Sequence, residues 1–509
     1  MKKILFVFMT VCLSWVLASC IKDDSSESDG SVNITISGIE ERYDVVSFTD
    51  DKLVITPVVS STTGESDLEY AWYYYDDLKS IDNTKENSAI LFNNEKDINS
   101  GLSFGDGRFV FFLVVTSKST GYKKYAKTTV YTACDLSKGF VAFKENADGN
   151  TDYDLFNTNN NSLITDVLAN VNGETVPGKP RAGDVCYYFA YQDPETDECR
   201  FGNCVCITTE NNEVRWIRCS DAVTVMDADN AHFEKMEGEI PYRTVRGYFE
   251  TYFLSSNGVW GNYAGSVAMA GILGTFSGNG GSTHCVTTPA AYYCLVYWDE
   301  QTRSIAYSDF NNGYSATIDA FPGFTATNTN YDCITCGLNT TAGEKIYFLL
   351  QDRSTGKKYM FYIDCSMWVP MLVNVEEVDS SSHLANGNAF AACQTQATLA
   401  YVAHNNKLYA YDLGGTQTER EISIPGLPTG ENITYLSNRT YPGADGFNYL
   451  IIGTQSGDTY HVYMYNMIAG EPVGTPQLTF SGTGRLHSID YVNPAAPDMS
   501  CAYYMVYDK

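Results

Sequence analysis

Histidine is scarce in this chain: six in 509 residues (His232, His284, His383, His404, His461 and His487), no two at the i, i+4 spacing with which a helix presents two imidazoles to one metal ion. No Gly-x-Ser-x-Gly elbow stands between a strand and a helix, and long amphipathic helices are missing, which leaves acyl-transfer chemistry of that kind without support. Basic residues are in deficit, 33 Lys and Arg against 61 Asp and Glu, for a formal charge of -28. A surface of that sign repels phosphate backbones and anionic headgroups, so nucleic acid is excluded as a natural partner. Beyond Leu17 no apolar run is long enough to cross a bilayer, which takes about 20 residues.

The first twenty residues are an export signal in three parts. Lys2 and Lys3 form a positive start, Ile4 to Leu17 an uncharged apolar run too short to span, and Leu17-Ala18-Ser19-Cys20 its end. That end resembles the lipobox of bacterial lipoproteins, which implies a signal peptide over 1–19 and acyl chains on Cys20. Ile21-Lys22-Asp23-Asp24 is similar to the signal that carries Bacteroidetes lipoproteins to the outer face of the outer membrane, which assigns that role to Lys22, Asp23 and Asp24. Residues 20–31 are rich in Asp, Ser, Glu and Gly and cannot bury enough apolar surface to fold, so they serve as a tether. Loss of Lys2 and Lys3 with the leader takes the mature charge from -28 to -30.

Cysteine is plentiful, but its count excludes a complete disulfide framework. Of 15, Cys12 leaves with the leader and Cys20 carries lipid, and the remaining odd number cannot all pair within one chain. Cys186, Cys204, Cys206 and Cys294 stand in strand-like apolar patterns and are expected to act as small buried hydrophobes. Cys333-Ile334-Thr335-Cys336 has zinc or redox spacing, yet no second pair accompanies it. On a regular strand, residues three apart point to opposite faces, which argues against shared ligation.

From Val32 the pattern becomes short alternating strands: Val32 to Ile36, Leu53 to Val59, Leu68 to Tyr75 and Val110 to Thr116, with Gly, Asp and Ser clusters between them. About 100 residues of this kind predict an Ig-like β-sandwich over 32–134, with Trp72 filling the space between two sheets. Tyr43, Leu53-Val54-Ile55-Thr56-Pro57, Tyr70-Ala71-Trp72 and Gly139-Phe140-Val141-Ala142-Phe143-Lys144-Glu145 are similar, in order and spacing, to the PKD-like family of Bacteroidetes lipoproteins. The resemblance covers mainly the first 150 residues. It implies a surface lipoprotein working beside a SusC/SusD-like outer-membrane importer in the uptake of glycan or peptide, and it brings no catalytic residues with it.

Residues 135–509 carry a repeat. Ile305-Ala306-Tyr307-Ser308-Asp309, Met360-Phe361-Tyr362-Ile363-Asp364, Leu408-Tyr409-Ala410-Tyr411-Asp412 and Val462-Tyr463-Met464-Tyr465-Asn466 are apolar-aromatic strands ended by Asp or Asn. Each follows a partner strand and a polar turn, and weaker copies lie at Gly139 to Phe156, Cys204 to Ile217 and Tyr252 to Tyr263. Seven hairpins about 50 residues apart, with inner strands such as Phe390 to Cys393 and Ile433 to Leu436 before them, predict a seven-bladed β-propeller. The fold class is therefore all-β, a sandwich followed by a propeller. The strand Ala502 to Tyr507 is expected to close the ring on Gly139 to Phe143.

Nothing in the propeller reads as an assembled active site. Asp148, Asn150, Asp152 and Asp154 imitate the start of a calcium loop, but Tyr153 and Asn159 stand where Gly and Glu are needed, so a hairpin turn is expected. Gly271 to Gly281 is Gly-rich without a following phosphate-binding Lys and is expected to be a flexible loop. Trp260 and Trp368, near turns, are the candidate ligand-stacking rings. No catalytic residue, metal or cofactor is expected, and the reading is a non-catalytic surface lipoprotein that binds glycan or peptide. The alternatives are a propeller hydrolase or lyase using carboxylates from different blades, and a structural or adhesion protein.

Overall fold

A computed structural model of the chain describes residues 32–494 apart from 48–49, 77–88, 196, 198, 233–236, 248–249, 264–273, 277–279, 288–294, 310–313, 320, 342, 368 and 442–445. The leader, Cys20, Lys22, Asp23 and Asp24, together with Cys294, Trp368 and Ala502 to Tyr507, lie outside the described residues. No helix among the described residues is long and apolar enough to cross a membrane.

The first module is the sandwich. Alternating strands put every second side chain on one face, and a five-stranded sheet forms in the order Arg42–Val46, Lys123–Ala133, Gly107–Ser117, Leu68–Asp76, Ile90–Asn93. Its first pair is parallel and the others antiparallel. Two short pairs, Ile34–Ser37 with Val58–Ser61 and Leu53–Ile55 with Ile98–Ser100, complete the module. Trp72 is wholly buried in one core with Leu53, Ile55, Ile98 and Phe111, and its indole nitrogen donates to the Lys96 carbonyl at 3.1 Å. That bond matters because an unpaired indole N–H in such a core would cost more than the ring's burial alone suggests.

The second module is a ring of seven antiparallel sheets. Blade 1 contains Gly139–Glu145, Thr151–Asn157 and Ser162–Ile164. The inner strands of blades 2 to 7 are Pro180–Gln192, Pro241–Arg246, Cys285–Thr287, Tyr331–Asn339, Ala389–Ala392 and Asn432–Tyr441, each followed outward by three more strands. The seven hairpins read from sequence are the middle pairs of these blades, for example Lys345–Asp352 with Lys358–Asp364 and Leu399–His404 with Lys407–Asp412. The strand-ending aspartates form side-chain turns: Asp364 Oδ1 accepts from Ser366 N at 2.8 Å, and Asp412 Oδ1 from Gly414 N at 2.8 Å.

Closure differs from the expectation. The inner strand of blade 1 is Arg485–Val492, antiparallel to Gly139–Glu145 with a bulge between Phe143 and Lys144. The place foreseen for Ala502 to Tyr507 is thus taken by a strand that reads as too polar, because its Ser488 and Asp490 point into a polar seam rather than an apolar core. Gly139, at φ +150°, begins the blade, and a Cβ there would stand 2.1 Å from the Phe156 carbonyl oxygen. Only glycine allows the two strands to meet so closely.

The Gly-rich stretch 271–281 is corrected in part, since Gly274–Phe276 is the outer strand of blade 3. The calcium-loop imitation is a hairpin turn at Asn146 to Asn150, closed by Asn146 N to Asn150 O at 2.9 Å. Asp152 and Asp154 belong to the following strand and are fully buried. Asp152 accepts from Leu168 N and Ala169 N at the start of the helix Val167–Asn172, and Asp154 pairs with Lys144 at 2.5 Å.

Candidate functional site

The inner strands contact one another around an axis. Side chains stitch neighbouring blades to one another's carbonyls: Asn388 to Ile433 at 2.6 Å, Tyr435 to Ile489 at 3.1 Å, Ser488 to Gly183 at 3.3 Å and Thr208 to Tyr242 at 2.7 Å. Gly183 permits the closest approach, for a Cβ there would sit 2.2 Å from Cγ of the Phe143 ring in blade 1.

Where these strands begin, all seven blades line one cavity of about 280 Å³. His487 comes from blade 1, Arg181 from blade 2, Arg243 from blade 3 and His284 from blade 4. Thr335, Phe390 and Thr434 come from blades 5, 6 and 7. We call this the axial funnel. A single ligand there could touch every repeat, and most of the lining stands on the inner strands, with Thr283 and His284 just before one.

Below the mouth lies a chain of buried charges. Arg243 grips Asp184 with Nη2 to Oδ1 at 2.6 Å and Nε to Oδ2 at 2.9 Å, and its Nη1 donates to the Thr283 carbonyl at 3.1 Å. Burial alone would pull the guanidinium down, but facing Asp184 more than offsets it, and the net direction is up. Arg439 pairs with Asp490 at 3.1 Å, and Asp490 Oδ2 accepts from Val185 N at 2.9 Å. Burial raises Asp490, as does the charge of Asp184, while Arg439 opposes both. These two pairs bind blades 3, 2, 1 and 7 and leave their four charges balanced.

At the rim, Arg181 makes no carboxylate contact among the described residues. Its Nη1 donates to the Pro241 carbonyl at 2.5 Å, and its Nη2 to Asn212 Oδ1 at 3.1 Å and the Glu210 backbone carbonyl at 3.4 Å. His284 Nε2 lies 3.2 Å from the Ile334 carbonyl.

A second cavity, about 220 Å³, lies between the sandwich and blade 2. Arg218 is held there by Asp193 at 2.6 Å and Asp221 at 2.5 Å. Tyr188, in a left-handed conformation at φ +52°, stacks on Phe201 at 4.5 Å. From the sandwich comes Asp106, whose carboxyl burial pushes up to about 6 although part of the residue still reaches solvent. Ser220 and Arg218 pull it down, and the charge of Asp221 pushes it up. Both arginines of this cavity, Arg218 and Arg200, are committed to its carboxylates, which marks a docking seam.

Of the two sequence-derived rings, Trp368 lies outside the described residues and Trp260 lines neither cavity. Trp260 is 8% exposed, lies 4.3 Å from His232 and donates Nε1 to Ser255 Oγ at 3.1 Å, so it packs between blades instead of awaiting a ligand. Cys186, Cys204 and Cys206 are buried as expected. Cys333 and Cys336 do not point to opposite faces as expected of a regular strand: a bulge at Ile334 places Cys333 opposite Leu350 and Cys336 opposite Phe348, partners two apart, so both thiols enter the same core. Burial pushes the Cys333 thiol well up, which suits a buried hydrophobe. Among the described residues no group of three or more His, Cys, Asp or Glu is placed to hold a metal ion. The funnel residues went unnoticed in the sequence because they fall singly in seven repeats; the available signal was a polar or basic residue at or just before the start of most inner strands, with Phe390 the exception in blade 6.

Sandwich and seven-bladed ring together define an all-β, two-module protein. The model of the PKD-like family matches residues 29–180, which takes in the sandwich and the first three strands of blade 1. No curated protein sequence matches the chain. Among solved structures, the chain is similar to a quinonprotein alcohol dehydrogenase-like protein from Bacteroides thetaiotaomicron (14% identity, 89% of this chain and 97% of that one, TM-score 0.38). It is also similar to AztD from Citrobacter koseri (10% identity, 84% and 98%, TM-score 0.33) and BamB from Moraxella catarrhalis (11% identity, 74% and 96%, TM-score 0.26).

Proposed function

We propose that this chain is a non-catalytic lipoprotein, anchored through Cys20 to the outer membrane and facing outward, that binds glycan or peptide beside a SusC/SusD-like importer. The observation that carries the binding role is the axial funnel, where side chains from all seven blades converge on one cavity in a ring stitched by buried ion pairs. Such a site is pre-organised, so little conformational entropy opposes binding. The sandwich and the tether of residues 20–31 hold the ring away from the lipid, and the export signal supports the address.

The test is made on cells and on purified protein. Mature protein should carry diacylglyceryl on Cys20, and protease added to whole cells should remove it. Changing Lys22, Asp23 and Asp24 to Ala should leave lipidation intact and abolish that sensitivity. Purified protein should retain a member of a glycan and peptide panel without releasing products, and should co-purify with importer subunits. Release of reducing ends or unsaturated sugars would replace the binding role with a catalytic one.

A further inference from the structure

We infer that the axial funnel takes an anionic sugar, the end of an oligosaccharide carrying a carboxylate or sulfate, with Arg181 as its charge-recognition residue. This rests on reading the funnel as the binding site and names its ligand class.

Acidic residues outnumber basic ones by 61 to 33 in the chain, yet the described lining of the funnel holds two arginines and two histidines and no Asp or Glu. A random patch of this surface would have the opposite sign. Of the two arginines, Arg243 is neutralised by Asp184, and Arg439 and Asp490 cancel below. The charge of Arg181 is not offset in the same way, because carbonyl and amide oxygens hold the guanidinium with no carboxylate in contact among the described residues. Burial draws the Arg181 guanidinium down from its ordinary value, with Tyr242 and then Glu210 opposing it, and the hydrogen bond from Arg181 to Glu210 goes to the backbone carbonyl. A half-buried guanidinium, fixed in place and short of a counter-ion, is the arrangement that recognises a ligand oxyanion.

The rest of the lining favours a sugar over an acidic peptide. Thr283, Thr335 and Thr434 offer hydroxyls that both donate and accept, as sugar hydroxyls require, and Phe390 supplies one flat apolar face. A cavity of about 280 Å³ suits a chain end of one or two rings rather than the middle of a polymer.

The experiment is calorimetric titration of the full mature chain with tetragalacturonic acid, a neutral galactose tetrasaccharide and tetraglutamate. The uronate should bind at least tenfold more tightly than the neutral sugar and the peptide. Arg181→Gln should weaken it at least tenfold with unchanged melting temperature, Arg181→Lys should restore part of the affinity, and Thr434→Trp at the exposed rim should abolish it. If Thr434→Trp removes binding while Arg181→Gln does not, or if the neutral sugar binds equally well, the charge assignment is overturned and the funnel reading stands. Tighter binding of tetraglutamate overturns the sugar class. Binding indifferent to Thr434→Trp, or no binding by any probe, overturns both.

Discussion

Arg243 and Asp184 face each other through two hydrogen bonds, 2.6 and 2.9 Å, in the interior of the ring. The pair joins blade 3 to blade 2, and its neighbour Asp490 with Arg439 joins blade 1 to blade 7. A buried pair is costly to break from one side, since the surviving charge loses its partner in a medium that solvates it poorly.

Asp184→Asn or Asp184→Ala should therefore lower propeller stability by about 3–5 kcal/mol. Replacing both members with apolar residues, Asp184→Leu with Arg243→Met, should recover much of that loss. Denaturant melts of the single and double variants check it; equal losses in both would show that packing, not the lone charge, dominates.

Gly183→Ala should destabilise by about 1–3 kcal/mol, because the added methyl would meet the Phe143 ring that seats blade 1 on blade 2. Phe143→Leu in the same chain should relieve part of the cost. Melting curves of the two single variants and the double one report the coupling.

The closure strand gives a third prediction. A chain ending after Gly484 lacks Arg485–Val492 and should fail to form a protease-resistant propeller, whereas one ending after Pro494 should retain it. Limited proteolysis distinguishes them, and failure of the longer chain would return the closing role to Ala502 to Tyr507.

The seam between modules should weaken as pH rises. Folded Asp106 keeps its proton to about 6, while unfolded it releases it near the ordinary 4. Between those values the folded state binds more protons, so stability falls with increasing pH and the penalty is complete above about 6. Asp106→Asn should remove that fall, a gain on the order of 1 kcal/mol at pH 7.5 and little at pH 4. Thermal melts at the two pH values test it.

Much of this architecture was legible in the residues. The hairpins of all seven blades show as paired apolar runs because their middle strands are buried on both faces, and Trp72 announces the sandwich core by its place in an alternating strand. The closing strand escaped because Ser488 and Asp490 satisfy their polarity inside the ring, against Gly183, Val185 and Arg439, which no local pattern reveals. Trp260 misled for the converse reason: a ring near a turn looks available until the neighbouring segment brings His232 over it. The funnel was illegible because its residues lie up to about 300 positions apart, and only ring closure makes His487 and Arg181 neighbours.

Hydrogen exchange of the mature protein, with and without the panel member it retains, tests the ligand's place most directly. The account predicts slowed exchange at the starts of the inner strands, around residues 181–183, 334–336, 434–436 and 487–489, and unchanged exchange in the sandwich. Protection confined to the sandwich or to the outer strands of the blades would contradict it.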